Sequence, residues 1–214
     1  MRCHLRMLAS GSIKFILPPI ILAVFCFAIS FLIGGGVFLL LAGYMAWFFR
    51  DPNRDIILDS GIIYAAADGT IKEVNDKDGI IQIATRMSPF NVHLNRAPVD
   101  AEVNDIVYKP GSHRSVYFAG AELKNEQNLI SMETDELKVD VLQITGAFAR
   151  RIECWVEKND RINQGDKIGI IRFGSQTNVT IEPKLEKDLT IIPVVRVGDT
   201  VQAGISPIAR IRSE

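Results

Sequence analysis

Four short segments contain residue types that could carry out chemistry: a serine after a glycine, a histidine among polar residues, a carboxylate before a glycine, and several arginines. The segments are 48–54 (FFRDPNR), 66–69 (AADG), 87–98 (MSPFNVHLNRAP) and 170–175 (IIRFGS). A serine hydroxyl needs a neighbouring base to act as a nucleophile at neutral pH. Each segment alone is also typical of a turn, because Gly, Asp, Asn and Pro favour turns. Their chemical meaning therefore depends on their occurring together.

Two further segments, 125–128 (NEQN) and 146–152 (GAFARRI), lie between the last two of these. In this order the six segments resemble those of the phosphatidylserine decarboxylase proenzymes, in the shorter branch of that family. The resemblance runs from Phe48 to about Gly204. It predicts a self-processing carboxy-lyase that converts phosphatidylserine to phosphatidylethanolamine.

The resemblance implies that the chain cuts itself between Gly174 and Ser175. The Ser175 hydroxyl would attack the Gly174 carbonyl, and glycine keeps side-chain bulk away from the scissile bond. Elimination and hydrolysis would then give a β chain, 1–174, and an α chain, 175–214, that begins with a pyruvoyl group. This covalent cofactor would form a Schiff base with the serine headgroup and accept the electrons released when carbon dioxide leaves.

The base that activates the serine is predicted to be His93. The other two histidines, His4 and His113, lie outside the family segments. His93 is also predicted to return a proton to the decarboxylated carbon, and Asp68 to orient His93 or to support cleavage. The longer branch of the family has a second histidine where this chain has Arg96. Either His93 serves both steps, or another residue assists cleavage.

Guanidinium groups are predicted to bind the headgroup phosphate, because their geometry matches phosphate oxygens. The candidates are Arg96, Arg150 and Arg151, with an ion pair inside the β domain as the alternative for each. No metal site is expected, since the three cysteines are scattered along the chain. The near balance of 24 basic and 25 acidic residues argues against a nucleic-acid partner.

Residues 1–50 are predicted to form a membrane anchor of one or two apolar helices, since no charged residue lies between Lys14 and Arg50. The run from Ile13 to Ile33 is long enough to cross a bilayer as one helix, and a second run could borrow the glycines at 34–36 or form a re-entrant or tilted arm. The simplest predicted topology is an α-helical membrane hairpin. Basic residues flank both ends, which places the remaining domain on the cytoplasmic face of the cell membrane. Arg50 and Arg54 are expected to contact anionic lipids there. A cleaved signal peptide is disfavoured by the length of the apolar region.

Residues 51–214 are predicted to form a compact, mainly β domain, because short β-branched runs alternate with Gly, Asp, Asn and Pro. A weak repeat relates 160–168 to 199–208, a pattern also seen in lipoyl- and biotinyl-type hairpins. Gly165 and Gly204 hold matching places and are predicted to adopt turn conformations that other residues adopt poorly. Two merely similar hairpins would give the same pattern.

Two alternatives stay open. Ser175 is followed by Gln176, Thr177 and Asn178, where the branch usually has Arg and then Asp two residues further on. This departure could mark an enzyme acting on archaetidylserine, an ether lipid with the same headgroup. The other alternative is a non-enzymatic, membrane-anchored, lipoyl-like β domain. A serine hydrolase is disfavoured, because the G-x-S-x-G elbow is missing.

The predicted partners are the serine-headgroup phospholipid, the membrane, and the α and β chains of one precursor. A homo-oligomer is compatible with the sequence. No nucleic-acid partner is expected.

Overall fold

The computed structural model describes residues 8–112, 120–146, 151–172, 175–184 and 189–213. The chain divides into two compact units, Met1–Asn53 and Arg54–Glu214. The first unit is helical, and the second is mainly β.

The first unit contains two helices, α1 (Ile13–Ala28) and α2 (Leu32–Phe48). Ser30 lies in the turn between them, and its φ of 61° is in the left-handed region, where a right-handed helix cannot continue. Phe15, in the first turn of α1, stacks on Phe49, which directly follows α2, with ring centroids 5.1 Å apart. The two helices therefore form an antiparallel hairpin with its open ends in contact.

The turn at 29–31 divides the apolar run that was predicted to form one helix from Ile13 to Ile33, so that prediction is wrong in its extent. The glycines Gly34–Gly36 join α2, as in one of the two predicted arrangements. Within the described residues, no helix combines the length and the apolar character needed to cross a membrane.

The second unit confirms the predicted mainly β architecture. Its one described helix, α3 (Ala121–Lys124), is a single turn. The described strands are β1 (Ile62–Tyr64), β2 (Gly69–Lys77), β3 (Ile80–Met87), β4 (Leu94–Arg96), β5 (Ala101–Lys109), β6 (Gln127–Glu133), β7 (Leu137–Ile144), β8 (Ile152–Cys154), β9 (Arg161–Ile162), β10 (Lys167–Ile171), β11 (Ser175–Pro183), β12 (Leu189–Pro193), β13 (Thr200–Val201) and β14 (Pro207–Ser213).

Eight strands form one antiparallel sheet in the order β13-β2-β3-β11-β7-β6-β5-β9, and two smaller sheets have the orders β1-β14-β12 and β4-β10-β8. Buried and partly exposed residues alternate along β6 and β7, which is the pattern of a sheet with one face against the core. All three sheets contribute to a single core cluster. Its members include Ile63, Ile81, Ile130, Ile168 and Ile208.

The internal repeat is visible as two matching sets of backbone contacts. The Gly165 amide donates to the Ala97 carbonyl at 2.8 Å, and the Gly204 amide donates to the Ala65 carbonyl at 2.8 Å. Gly165 has φ +84° and Gly204 has φ +72°, so the prediction that both adopt special turn conformations is confirmed. The side chain of Ile56 lies against both turns.

Two aspartates extend the same correspondence. Asp68 Oδ1 accepts a hydrogen bond from the Ala203 amide at 2.8 Å, and Asp100 Oδ1 accepts one from the Gln164 amide at 2.6 Å. Asp68 directly precedes β2, and Asp100 directly precedes β5. Each carboxylate therefore fastens one repeat turn to the start of a long strand.

Substituting Gly165 by alanine should destabilise the chain more than substituting Gly79, although both have a φ near +80°. A Cβ at Gly165 would lie 2.3 Å from Ile56 Cδ1, whereas a Cβ at Gly79 would meet nothing within 4 Å. We expect about 1 kcal/mol for Gly79→Ala from the backbone alone. Gly165→Ala should lower the free energy of unfolding by about 1–3 kcal/mol more than Gly79→Ala does, because the added Cβ overpacks the site. Guanidinium denaturation of the full chain measures both, and equal losses would contradict the packing at Ile56.

Candidate active site

Ser175 begins strand β11 and is fully buried. It lies opposite Met87, the last residue of β3, and its hydroxyl is 3.1 Å from Met87 Sδ. Met87 in turn packs with Ala67, Ile152 and Ile171 in a small apolar cluster. A thioether sulfur is a weak acceptor, so this contact positions the hydroxyl without a strong hydrogen bond that a reaction would have to break.

His93 is also buried, with 1% of its surface exposed. Its Nδ1 lies 2.9 Å from the Asn91 carbonyl oxygen. Because a carbonyl only accepts hydrogen bonds, Nδ1 carries the proton, and in the neutral ring Nε2 is the nitrogen that can take one. The His93 carbonyl accepts from the Ile171 amide at 3.2 Å, four residues before Ser175. The histidine is thus fastened to the strand that leads to the serine.

Asp68 makes three short polar contacts. Arg54 donates to both carboxylate oxygens at 2.7 Å, and the Ala203 amide donates to Oδ1. The Arg54 side chain is only 8% exposed, so the expectation that it contacts lipid is wrong: a buried carboxylate holds it in the β unit. That Asp68 orients His93 stays a prediction, since the partner seen at His93 Nδ1 is the Asn91 carbonyl.

A chain of buried amide side chains adjoins the serine and the histidine. Asn95, two residues after His93, donates to the Thr177 hydroxyl at 3.2 Å and accepts from Gln143 at 2.8 Å. Asn128 donates to Gln143 at 2.9 Å. The network thus joins β4, β11, β7 and β6 behind the candidate site. Thr177 could have been found from strand alternation, because it shares a face with Ser175; nothing in the sequence pointed to Gln143.

Charged side chains lie around Arg172, the residue that directly follows β10. Arg172 donates to Glu153, and burial first, then the nearby Arg151 guanidinium, lower the pKa of Arg172. Desolvation raises the pKa of Tyr108, and Glu126, its hydrogen-bond acceptor, raises it further, while Arg151 acts in the opposite direction. The Arg151 charge thus acts on both Tyr108 and Arg172.

The predicted phosphate-binding arginines occupy different environments. Arg96 is buried and donates to the Gly165 carbonyl at 2.9 Å, which favours its structural alternative. Arg151 is exposed. Arg150 and Gly174 lie outside the described residues. Arg151 is therefore the described candidate that solvent or a ligand can reach.

Comparison with known proteins identifies the family. A family model described as phosphatidylserine decarboxylase matches residues 41–209. A phosphatidylserine decarboxylase proenzyme from Thermobifida fusca (strain YX) is 40% identical over 165 residues, which cover 77% of this chain and 72% of the relative. A provisionally named archaetidylserine decarboxylase proenzyme from Halobacterium salinarum is 37% identical over 207 residues, covering 95% of this chain and 100% of the relative.

The match spans the β unit and includes the buried serine, the buried histidine and the strands that hold them. Together these features define the class of protein: a decarboxylase made as a proenzyme. The chain belongs to the phosphatidylserine decarboxylase family.

Replacing Asn95 by leucine should destabilise the fold, because the buried Nε2 of Gln143 would lose the Asn95 oxygen to which it donates. A buried polar group left without a partner costs about 1–3 kcal/mol. Asn104→Leu is a matched control, since the Asn104 amide donates to Glu133 at an exposed position and should change stability by less than about 0.5 kcal/mol. Guanidinium denaturation compares the two. An Asn95→Leu chain as stable as Asn104→Leu would contradict a structural role for the network.

Proposed function

We propose that this chain cuts itself between Gly174 and Ser175 and then decarboxylates phosphatidylserine to phosphatidylethanolamine with a pyruvoyl group made from Ser175. The observation that carries the proposal is the placement of Ser175. It is a buried serine at the first position of a strand, and the strand before it is bonded to the backbone of a buried histidine. Membership of the decarboxylase family supplies the reaction class.

Cleavage begins when Ser175 Oγ attacks the Gly174 carbonyl carbon and the hydroxyl proton passes to His93 Nε2. The peptide amide becomes an ester as the Ser175 nitrogen leaves the carbonyl and takes a proton. Loss of the Cα proton of residue 175 to a base, together with loss of the Gly174 carboxylate from Cβ, leaves a dehydroalanine, which tautomerises to an imine. Water then replaces the nitrogen at Cα, and ammonia departs. The products are chains 1–174 and 175–214.

The residues around position 175 fit the pyruvoyl group that cleavage would form there. Ser175 is fully buried beside Met87, so bulk water is kept from the reacting atoms. Pairing of β11 with β3 and β7 holds the backbone carbonyl of residue 175 in a fixed direction. The pyruvoyl group supplies the electron sink for decarboxylation.

His93 is the proposed proton donor to the carbon that loses carbon dioxide, again through Nε2. Arg150 and Arg151 are proposed to pair with the headgroup phosphate. Exposure of Arg151 supports its part in this assignment, whereas burial of Arg96 against the Gly165 carbonyl gives that residue a structural role.

The helical hairpin is proposed to attach the enzyme to the cell membrane, with the β unit on the cytoplasmic face. Large apolar side chains on both helices are exposed, among them Ile13, Ile33 and Leu40. An apolar surface of this kind is favourably buried in lipid. The paired repeat turns of the β unit are further proposed to be related to lipoyl-type hairpins, on the strength of their matching glycine contacts.

Archaetidylserine is a second candidate substrate with the same headgroup. Two relatives carry provisional archaetidylserine decarboxylase names: the Halobacterium protein, and one from Methanosarcina acetivorans that is 36% identical over 174 residues, 81% of this chain and 78% of the relative. Supplying both lipids in equal amounts and measuring the two ethanolamine products separates the candidates. A non-enzymatic carrier is not supported, because the family match is to decarboxylases.

Ser175→Ala should keep the chain whole, because no hydroxyl remains to attack the Gly174 carbonyl. The unsubstituted chain should give two bands on a denaturing gel, and mass spectrometry of the shorter one should show a pyruvoyl start at position 175. Ser131→Ala, a substitution on β6, should cleave as the unsubstituted chain does. Cleavage of Ser175→Ala at this site, or a serine at the start of the short chain, would refute the proposal.

Asp68→Asn should lower the rate of self-cleavage at least about tenfold more than the matched substitutions Arg54→Gln and Asp100→Asn do. Asp68 precedes β2, whose Thr70 lies opposite Arg86, the neighbour of Met87, so its carboxylate is at the Ser175 end of the sheet. Arg54→Gln breaks the same ion pair but leaves the carboxylate. Asp100→Asn removes the negative charge from the side chain that accepts the equivalent turn bond at the other repeat.

Gel-based cleavage rates, measured where all three variants are shown to be folded by circular dichroism, test this comparison. If Arg54→Gln or Asp100→Asn slows cleavage as much as Asp68→Asn, the part played by Asp68 is structural.

A further inference from the structure

One end of the large sheet gathers the elements around Ser175. Lys109, the last residue of β5, pairs with Gln127, and Gln127 pairs with Ile144. Ile144 pairs with Gln176, next to Ser175, and Ser175 pairs with Met87. The loops that follow β3 and precede β6 therefore leave the sheet at the same end as the candidate nucleophile.

Two large apolar side chains project from these loops. Phe90, three residues after Met87, is 70% exposed, and Leu123, four residues before Gln127, is 73% exposed. Tyr108, at the end of β5 on the same side, is 56% exposed. Exposed apolar side chains at one end of a sheet are typical of an interaction surface.

Local hydrogen bonds close the turn that carries Phe90. Ser88 donates to the Asn91 side chain from its amide at 2.8 Å and from its hydroxyl at 2.7 Å, and the Asn91 amide donates to the Ser88 carbonyl at 3.0 Å. The same Asn91 provides the carbonyl beside His93 Nδ1. Phe90 is thus held outward by a preformed turn whose other contacts position the histidine.

Basic residues lie next to the exposed apolar ones. Lys109 follows Tyr108, and Lys124 follows Leu123, and both lysines are exposed. Leucine and aromatic side chains beside lysines match the interface of a bilayer containing anionic lipid, where the apolar groups enter the headgroup region and the ammonium groups meet negative charge. A serine-headgroup lipid contributes negative charge to such a surface.

We propose that Phe90, Tyr108 and Leu123, with Lys109 and Lys124, form an apolar rim that inserts into the membrane beside the Ser175 site. The rim would admit the lipid headgroup to the site without the whole lipid leaving the bilayer. This inference rests on the proposed function. It adds a membrane contact on the β unit itself, separate from the helical hairpin.

The first test compares two lipid substrates in the full chain. The double variant F90S/L123S should cleave itself as the unsubstituted chain does and lose at least tenfold in decarboxylation of phosphatidylserine in vesicles. It should keep most of its activity on dihexanoyl phosphatidylserine dissolved below its micelle concentration, because no bilayer is involved. Leu58→Ser is the matched control: Leu58 is 63% exposed, and its neighbour Asp59 is bonded to Gln164 rather than to the loops that carry Phe90 and Leu123.

Equal losses on both substrates, an unchanged vesicle rate, or an equal loss in Leu58→Ser would each overturn the rim. A second readout does not depend on activity. Leu123→Cys or Leu58→Cys is labelled with nitrobenzoxadiazole in a chain whose native cysteines are replaced by alanine. With phosphatidylcholine vesicles containing phosphatidylserine, the dye at 123 should brighten and shift to the blue, and the dye at 58 should not.

The two readouts separate the rim from the proposed function. An unsubstituted chain that neither cleaves nor decarboxylates would refute the proposed function, and the dye response would still decide the rim. An unchanged dye at position 123 in an active enzyme would refute the rim alone.

Discussion

The pairing of β11 with β3 is the constraint on which the rest of the structure depends. It runs without a register shift from Ser175 opposite Met87 to Ile181 opposite Ile81. With β7 on its other side, β11 is an interior strand, so its first residue is buried with its backbone direction fixed. Met87 is also the point from which the chain turns toward His93. The same strand pair therefore sets the place of the proposed nucleophile, Ser175, and the starting point of the loop that leads to the proposed base, His93.

The repeated turns show how one structural device can acquire two uses. Asp68 and Asp100 each accept a backbone hydrogen bond from a repeat turn. Asp68 has in addition a bidentate ion pair with Arg54. Removing two charges from water is costly unless the geometry is good, and a two-point pair at 2.7 Å meets that condition. The two turns share one backbone arrangement, and the ion pair with Arg54 distinguishes the Asp68 turn from the Asp100 turn.

Much of this arrangement could be predicted from the sequence, and for identifiable reasons. Short β-branched runs predicted the β unit, and the matching glycines at 165 and 204 predicted two special turns, because both signals are local. Motif order singled out Ser175 and His93. The extent of the first helix was mispredicted, because hydrophobicity continues through residues 29–31 while the backbone at Ser30 does not stay helical. Arg54 was assigned to lipid because it closely follows an apolar run.

The contacts that could not be predicted join distant parts of the chain. Gln143 meets Asn95 across a sequence separation of 48 residues, and Arg54 meets Ala203 and Asp68 through a fold that brings the last repeat turn back to the start of the unit. Neither periodicity nor residue spacing predicts such long-range contacts. They follow from which strands become neighbours, which a single sequence leaves open.

The course of residues 175–214 has a consequence for what cutting can do. This segment supplies β11 and β13 to the large sheet and β12 and β14 to a small one, so it is woven through the β unit rather than attached to its surface. A break before residue 175 would create a new chain end in the interior and yet detach nothing. Once denatured, however, the two pieces would no longer be tethered, and regaining the fold would become a second-order encounter that dilution slows. Self-processing would thus replace the unimolecular refolding of one chain by the bimolecular assembly of two chains.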